Sequence, residues 1–130
     1  MSFVLLDTHL LLWAAGEPDK LPAKARESIE DPQNSLAFSA ASLWEVVIKR
    51  GLGRDDFRVD PRRLRRGLLD ADYRELTIAS EHVLAVARLP ALHRDPFDRI
   101  LIAQAEVEGA VLLTSDDLVA QYASDSVRRV

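Results

Sequence analysis

The sequence predicts an α/β protein: a three-layer sandwich with helices on both sides of a mostly parallel sheet. Three observations carry this. Phe3-Val4-Leu5-Leu6 and Val111-Leu112-Leu113-Thr114 are short runs of apolar residues at consecutive positions, the pattern of strands buried on both faces. Helical stripes alternate with strand-like runs along the chain, as in a sheet covered on both sides. The 130 residues are one domain's worth and too few for two, so residues 1–130 form a single unit.

Each element follows in order. Asp7 ends the first strand, and Thr8 to Ala15 reads as a short helix closed by Gly16, with Pro18 beyond. Leu21, Ala25 and Ile29 give a helical stripe, and Asp31-Pro32-Gln33-Asn34 a turn. Ser35 to Ser39 is the second strand; a helix runs from about Ala40 to Arg50, ended by Gly51 and Gly53. Arg54 to Asp60 is polar and loop-like, and Pro61 opens a helix with Leu64, Leu68 and Leu69 as its stripe. Glu75 to Ile78 is expected as a third strand and Ser80 to Leu89 as a helix stopped at Pro90. Asp95-Pro96-Phe97-Asp98 opens a helix that Gly109 stops, and Ser126 to Val130 is a last strand or a frayed end.

Composition narrows the function. There are 21 acidic and 17 basic residues, net charge −4, so an overall basic field does not drive nucleic-acid binding, although a local basic patch remains open. With no cysteine, thiol nucleophiles, disulfides and cysteine-ligated zinc are out. His9, His82 and His93 form no i,i+4 pair, which also disfavours zinc. The first apolar run stops at Asp7, so no secretory leader is expected, and no stretch nears the ~20 apolar residues of a membrane span. The expectation is a cytoplasmic protein with no membrane partner.

The chemistry is carried by acids. Asp7 and Asp116 each follow the end of a buried strand, and in open α/β sheets ligands bind beyond those carboxyl ends. Asp98 shares a helix face with Leu101, Ile102 and Ala105, which puts a charge on the core side of a first turn. Glu45 borders the apolar face of Leu43-Trp44-Glu45-Val46-Val47-Ile48. Plainer roles exist for each: Asp95 as helix N-cap, Asp98 as an acid favoured by the helix dipole, Asp116 or Asp117 as a cap, Glu45 as a partly solvated helix residue. Together they raise a sharper question. Four carboxylates ~5 Å apart would repel by about 3 kcal/mol per pair at an effective dielectric of ~20, and six pairs approach ~20 kcal/mol, more than a domain's whole stability. Either they stay apart, or some are protonated, or a divalent cation sits among them. Oxygen ligands of this kind select Mg²⁺ or Mn²⁺.

Leu5-Leu6-Asp7-Thr8-His9, Ser42-Leu43-Trp44-Glu45, His93-Arg94-Asp95-Pro96-Phe97-Asp98-Arg99 and Leu113-Thr114-Ser115-Asp116 come in the order and spacing of the PIN domain. The chain resembles the VapC-like toxin ribonucleases of bacterial toxin–antitoxin pairs over nearly its whole length, most specifically from Asp95 to Ala105. The resemblance implies a Mg²⁺-dependent endoribonuclease, with Asp7 and Asp98 as principal metal ligands and Glu45 and Asp116 completing a catalytic quartet, directly or through water. It makes Asp95 and Asp117 extra acids, and Thr8 and Ser115 small polar neighbours that orient ligands. It also implies a 5′-phosphate and 3′-hydroxyl product, a homodimer, and a cognate antitoxin protein that blocks the site.

An acidic site must gather RNA with cations. Lys49, Arg50 and Arg99 are the phosphate-binding candidates, each with a solvated-surface role as the alternative. Arg62-Arg63-Arg65-Arg66 spreads round its helix and suits solvent or an antitoxin contact as well as RNA. His9 reads as a surface or packing residue, and Trp13 and Trp44 as core or interface. Two other classes stay open: a Mg²⁺-dependent phosphohydrolase or phosphoacceptor domain, and a non-catalytic RNA- or protein-binding PIN-like module. The phosphohydrolase motif needs a second aspartate two residues after the first, where this chain has His9.

Overall fold

A computed structural model describes residues 2–53, 58–122 and 125–130. Five strands form one all-parallel sheet: β1 (Phe3–Leu6), β2 (Ser35–Ser39), β3 (Arg74–Leu76), β4 (Val111–Thr114) and β5 (Val127–Arg129), in the spatial order β3-β2-β1-β4-β5. The helices among the described residues are α1 (Thr8–Gly16), α2 (Ala23–Glu30), α3 (Ala40–Gly51), α4 (Pro61–Asp70), α5 (Ser80–Val86), α6 (Pro96–Glu108) and α7 (Asp117–Ala120), with a 3₁₀ turn at Pro18–Lys20.

Strand alternation divides the core into two layers. Val4, Leu6, Phe38 and Leu113 face one side and pack with Leu10, Leu11, Ala25, Val46, Leu64 and Leu68 from α1 to α4. Leu5, Ala37, Leu76 and Leu112 face the other and pack with Ala85, Leu101, Ile102, Ala105 and Val119 from α5 to α7. A strand with apolar residues at every position is what two such layers demand. The expected three-layer α/β sandwich is therefore the observed one.

The departures from expectation lie at element ends. β3 starts at Arg74, opposite Ala37, and ends at Leu76; Ile78 has left the sheet and is largely exposed. α5 stops at Val86 rather than Leu89, because the chain tightens into i→i+3 turns at Arg88 and Leu89 and the Val86 carbonyl also accepts from the Arg99 guanidinium. Leu69, expected on the inner stripe of α4, is partly exposed, while Leu64 and Leu68 are buried. The tail forms β5. In the expected polar loop 54–60, residues 54–57 lie outside the described residues. Among the described residues no helix is long and apolar enough to cross a membrane.

This topology prepares a site. Chain order reverses at β1, from which β2 and β3 extend one way and β4 and β5 the other. The crevice beyond the carboxyl ends of β1 and β4 is the switch point at which parallel sheets bind ligands.

Candidate active site

β1 runs directly into Asp7, which is only 4% exposed. Its backbone N–H donates to the Leu113 carbonyl (3.1 Å), continuing the β1–β4 ladder by one residue. Its side chain is held twice: Oδ1 accepts from the Leu10 N–H (2.9 Å), capping α1, and Oδ2 accepts from Thr114 Oγ1 (2.6 Å). The second bond follows from register. Leu6 pairs with Leu113, so the next residues, Asp7 and Thr114, stand side by side on one face. Burial raises the Asp7 carboxyl above its usual range; hydrogen bonds from Thr114 and Leu10 and the charge of His9 oppose the rise, and Asp116 adds to it.

Thr114 also accepts the Asp116 N–H (3.0 Å), so one hydroxyl links the two strand-end acids. Asp116 caps α7, its Oδ1 taking the N–H groups of Leu118 (2.7 Å) and Val119 (3.3 Å). On the other side of Asp7, buried Thr8 donates to Ser42 Oγ (2.9 Å), tying α1 to the first turn of α3. Glu45 lies nearly one turn further along α3.

Glu45 is 13% exposed and its Oε2 pairs with Lys49 Nζ at 3.0 Å. Its Oε1 is buried without a hydrogen-bond partner. A buried carboxylate oxygen left unpaired is costly and calls for an explanation. Trp44, beside it, meets Phe97 edge-to-face with ring centroids 5.3 Å apart, which joins α3 to the first turn of α6. Asp98 follows Phe97. It is 20% exposed, and its Oδ2 lies 2.6 Å from His93 Nε2. Burial pushes its pKa up to about 6; the His93 hydrogen bond resists this, while the charges of Asp95 and Glu45 add to it. Asp95 caps α6 through the Phe97 N–H (2.9 Å), the plainer of the roles open to it.

The expected acids do not form a single tight cluster. They form two groups: Asp7 with Asp116, bridged by Thr114, and Asp98 with Glu45 and Asp95 close enough to disturb its charge. Among the described residues, sets of three ligand atoms within 4.8 Å of one another occur at His93, Asp95 and Asp98 and at Glu81, His82 and Glu108; neither includes Asp7, Glu45 or Asp116. Repulsion is eased by this separation and by the upward shifts of Asp7 and Asp98.

The residues fit a hard divalent cation. The donors are carboxylate oxygens, and Glu45 Oε1 is a buried carboxylate oxygen with no hydrogen-bond donor, although Lys49 meets Oε2 of the same group. The second grouping does not fit one. His82 Nδ1 accepts the Ala79 N–H (2.9 Å), so Nε2 carries the ring proton and donates it to Glu108 Oε2 (2.9 Å); no lone pair remains for an ion.

Other expected residues sort by their partners. Ser115 makes no hydrogen bond among the described residues; Thr114 does the work expected of it. Asp117 faces solvent and pairs with Arg129 (2.7 Å). Arg50 is half exposed and lies 3.5 Å from Asp60. Arg99 is tied into the fold: its Nη1 donates to the carbonyls of Pro90 (3.1 Å) and His93 (3.2 Å) and to Tyr122 Oη (3.1 Å), and its Nη2 to the Val86 carbonyl (3.1 Å). His9 is exposed and stacks at a tilt on Trp13, centroids 5.1 Å apart. Trp44 is 60% exposed and so belongs to a surface, not the core. It lines an apolar groove of about 510 Å³ with Ile78, Val83, Val86, Phe97 and Ile100.

Sequence reasoning missed Thr114, whose signal was its parity with Asp116 two residues on, and the contact of His93 with Asp98, which required knowing how the connection before α6 closes.

Comparison with known proteins agrees with this architecture. The family model of the PIN domain matches residues 4–124. The chain is 29% identical over 116 residues to Ribonuclease VapC22 of Mycobacterium tuberculosis, covering 89% of this chain and 88% of that protein. Among solved structures, VapBC2 from Rickettsia felis, bound to a DNA fragment from its promoter, superposes with a TM-score of 0.71 at 14% identity, covering 98% of both chains. VapBC-1 from nontypeable Haemophilus influenzae gives 0.68 at 18% identity, over 98% of this chain and 97% of that one. At such identities these structures speak for the fold.

Proposed function

The chain belongs to the PIN domain family, and on that premise we propose that it is a metal-dependent endoribonuclease, the toxin of a toxin–antitoxin pair. The observation that carries the reading is the orphaned Glu45 Oε1, buried beside an Asp98 already raised by negative neighbours, at the edge where Asp7 and Asp116 also arrive. Asp7 and Asp98 would hold Mg²⁺, or Mn²⁺ in its place, and Glu45 and Asp116 would complete the set directly or through water. Such an ion, when bound, lowers the pKa of a water and screens the scissile phosphate. Thr114 keeps Asp7 Oδ2 oriented, and Asp7's own burial excludes bulk water from that side. Thr8 and Ser42 fix the spacing between α1 and α3, and so between Asp7 and Glu45. Lys49, paired with Glu45, and Arg50, half exposed near Asp60, are the cations that would take an approaching RNA phosphate. Asp95 and Asp117 serve as a cap and a surface ion pair.

A protein partner is supported by the resemblance to Ribonuclease VapC22 and by exposed apolar residues. Trp44, Val47, Ile48 and Leu52 on and beside α3, with Val83 and Leu84 on α5, are exposed large apolar residues. We assign this surface to assembly, as an antitoxin contact or a homodimer interface, and place the protein in the cytoplasm.

The test is direct. Metal-stripped protein is expected to leave RNA intact, and added Mg²⁺ to restore cleavage with 5′-phosphate ends. Asp7→Asn is expected to abolish cleavage while circular dichroism stays native. Cleavage that survives both chelation and Asp7→Asn would sink the proposal; covalent phosphate on Asp7 would favour a phosphoacceptor instead.

A further inference from the structure

We infer that His93 is the positioning residue of Asp98, holding Oδ2 so that Oδ1 is the oxygen left for the cation, and that Tyr122 and Arg99 hold His93. The inference rests on the reading of Asp98 as an ion ligand.

A carboxylate in the first turn of a helix can rotate about two side-chain bonds, and ordering it costs free energy at the moment of binding. Asp98 is ordered in advance. His93 Nε2 meets Oδ2 at 2.6 Å, and Oδ1 makes no hydrogen bond among the described residues. The ring can do this only if its own backbone is fixed, because His93 lies in the irregular connection between α5 and α6. It is fixed from both sides of the residue. The His93 N–H donates to Tyr122 Oη (2.9 Å), and its carbonyl accepts from Arg99 Nη1 (3.2 Å). Tyr122 is buried beyond α7, and its hydroxyl donates to the Pro90 carbonyl (2.9 Å) while accepting from Arg99 Nη1 (3.1 Å). Arg99 completes the frame on the Val86 carbonyl at the end of α5. One phenol and one guanidinium therefore bind the end of α5, the connection, the first turn of α6 and the end of α7 around a single imidazole.

The network is too specific for general stability alone. Arg99 directly follows Asp98, so the residue that carries the carboxylate is adjacent to the one that anchors its partner. Outer groups that orient metal ligands commonly change metal affinity or activity by ~10–100-fold. The rival role, His93 as a ligand itself, is raised by its grouping with Asp95 and Asp98. It is disfavoured at Nε2, which Asp98 Oδ2 engages, and at Asp95 Oδ1, which takes the Phe97 N–H; a ligand role through Nδ1 is the outcome that the nitrogen coupling below decides.

The experiment uses the full chain with Mn²⁺ as the probe. Binding is followed by electron paramagnetic resonance, and Mg²⁺-dependent RNA cleavage is measured in parallel. His93→Ala is expected to weaken Mn²⁺ binding at least 10-fold and to lower kcat similarly, with KM for RNA within 2-fold of wild type. His93→Gln, whose amide nitrogen can still donate to Oδ2, is expected to recover most of both. Tyr122→Phe is expected to weaken Mn²⁺ binding about 3-fold. Unchanged Mn²⁺ affinity in folded His93→Ala overturns the inference, as does failure of His93→Gln to recover it. A nitrogen coupling to bound Mn²⁺ that disappears in His93→Ala overturns it too, by making His93 a ligand. If His93→Ala does not fold, Tyr122→Phe decides on the same readout. Asp98→Asn separates the levels: unchanged Mn²⁺ binding and cleavage there would mean that the reading of Asp98 as a ligand has failed, not merely its positioning.

Discussion

Helix α6 carries a carboxylate paired with a histidine at each end, and the two pairs behave differently. At its last residue Glu108 meets His82 Nε2; in its first turn Asp98 meets His93 Nε2. At the C-terminal end everything is accounted for. A carboxylate there opposes the helix dipole, and the imidazole N–H offsets the cost, while the other ring nitrogen takes the backbone N–H that starts α5. The pair staples α5 to α6 and leaves neither ring nitrogen unpaired. At the N-terminal end the dipole favours Asp98, yet burial and the nearby charges of Asp95 and Glu45 push its pKa to about 6, and Glu45 Oε1 stays unpaired. A histidine beside a carboxylate is therefore not what marks a site. A buried carboxylate oxygen left without a donor, beside a second carboxyl whose pKa burial has raised, marks it.

The largest effect should fall on activity and on one end only. Orienting partners of metal ligands are worth ~10–100-fold, so removal of a ligand itself by Asp98→Asn is expected to reduce RNA cleavage by more than ~100-fold. Glu108→Gln is expected to leave cleavage within 2-fold, as read in the same gel assay with the same RNA. Equal losses at both ends would erase the distinction.

The next effect is on stability and has an unusual sign. Asp98 titrates near 6 when folded against an ordinary 3.8, so between those values the folded protein binds the extra proton. Metal-free stability should therefore fall as pH rises from about 4 to about 6, with a cost of about 3 kcal/mol from this group at pH 7. Asp7 shifts in the same direction. Urea unfolding in chelator is expected to find Asp98→Asn close to wild type at pH 4 and more stable by up to ~3 kcal/mol at pH 7. Millimolar Mg²⁺ should reverse that order by stabilising wild type alone. The ion needs its ligands ionised, so cleavage should decline as pH drops below about 6.

At the other end the expected change is in stability without function. His82→Ala removes a buried ring, the acceptor for the Ala79 N–H and the donor to Glu108. Loss of a cap and of a hydrogen bond to a charged group should cost about 2 kcal/mol, seen as a lower urea midpoint with Mn²⁺ affinity unchanged.

The same contrast explains how much could be read before the structure was known. β1 and β4 were legible because a strand covered on both sides must be apolar at successive positions, and Asp7 and Asp116 were legible because they interrupt such strands. Asp95, Pro96 and Asp98 announced the start of α6 through local capping chemistry. The ends of β3 and α5 were not legible, since pairing with residues 37–39 and the reach of Arg99 to Val86 set them from a distance. Thr114 was hidden because its contact with Asp7 depends on strand register, and the structural bonds of Arg99 were hidden because a cation next to an acid in sequence does not reveal the three distant carbonyls and the phenol to which its Nη1 and Nη2 donate. What sequence conveyed was which acids follow strand ends and open helices; which of their oxygens are left without a donor is a property of closure.

The smallest prediction tests the Glu45 carboxylate from the cation side. Lys49 partly neutralises Glu45 through Oε2, and Lys49→Met removes the charge but keeps most of the stem. As an i,i+4 helix pair whose ammonium is partly exposed and whose carboxylate is mostly covered, it should contribute about 0.5–1 kcal/mol to stability. Its effects on binding should have opposite signs. Without the ammonium, the potential around Glu45 is more negative, so Mn²⁺ is expected to bind about 2- to 5-fold more tightly, by electrostatic energies of under ~1 kcal/mol at this exposure. RNA loses one phosphate contact, so its binding should weaken and the slope of log affinity against log salt should shrink by ~0.7 for a single strand. Tighter metal with weaker RNA would place Lys49 between the two. If both weaken, the ammonium supports the acidic site itself; if neither moves, the Glu45–Lys49 pair belongs with His82 and Glu108, among the contacts that only hold the fold together.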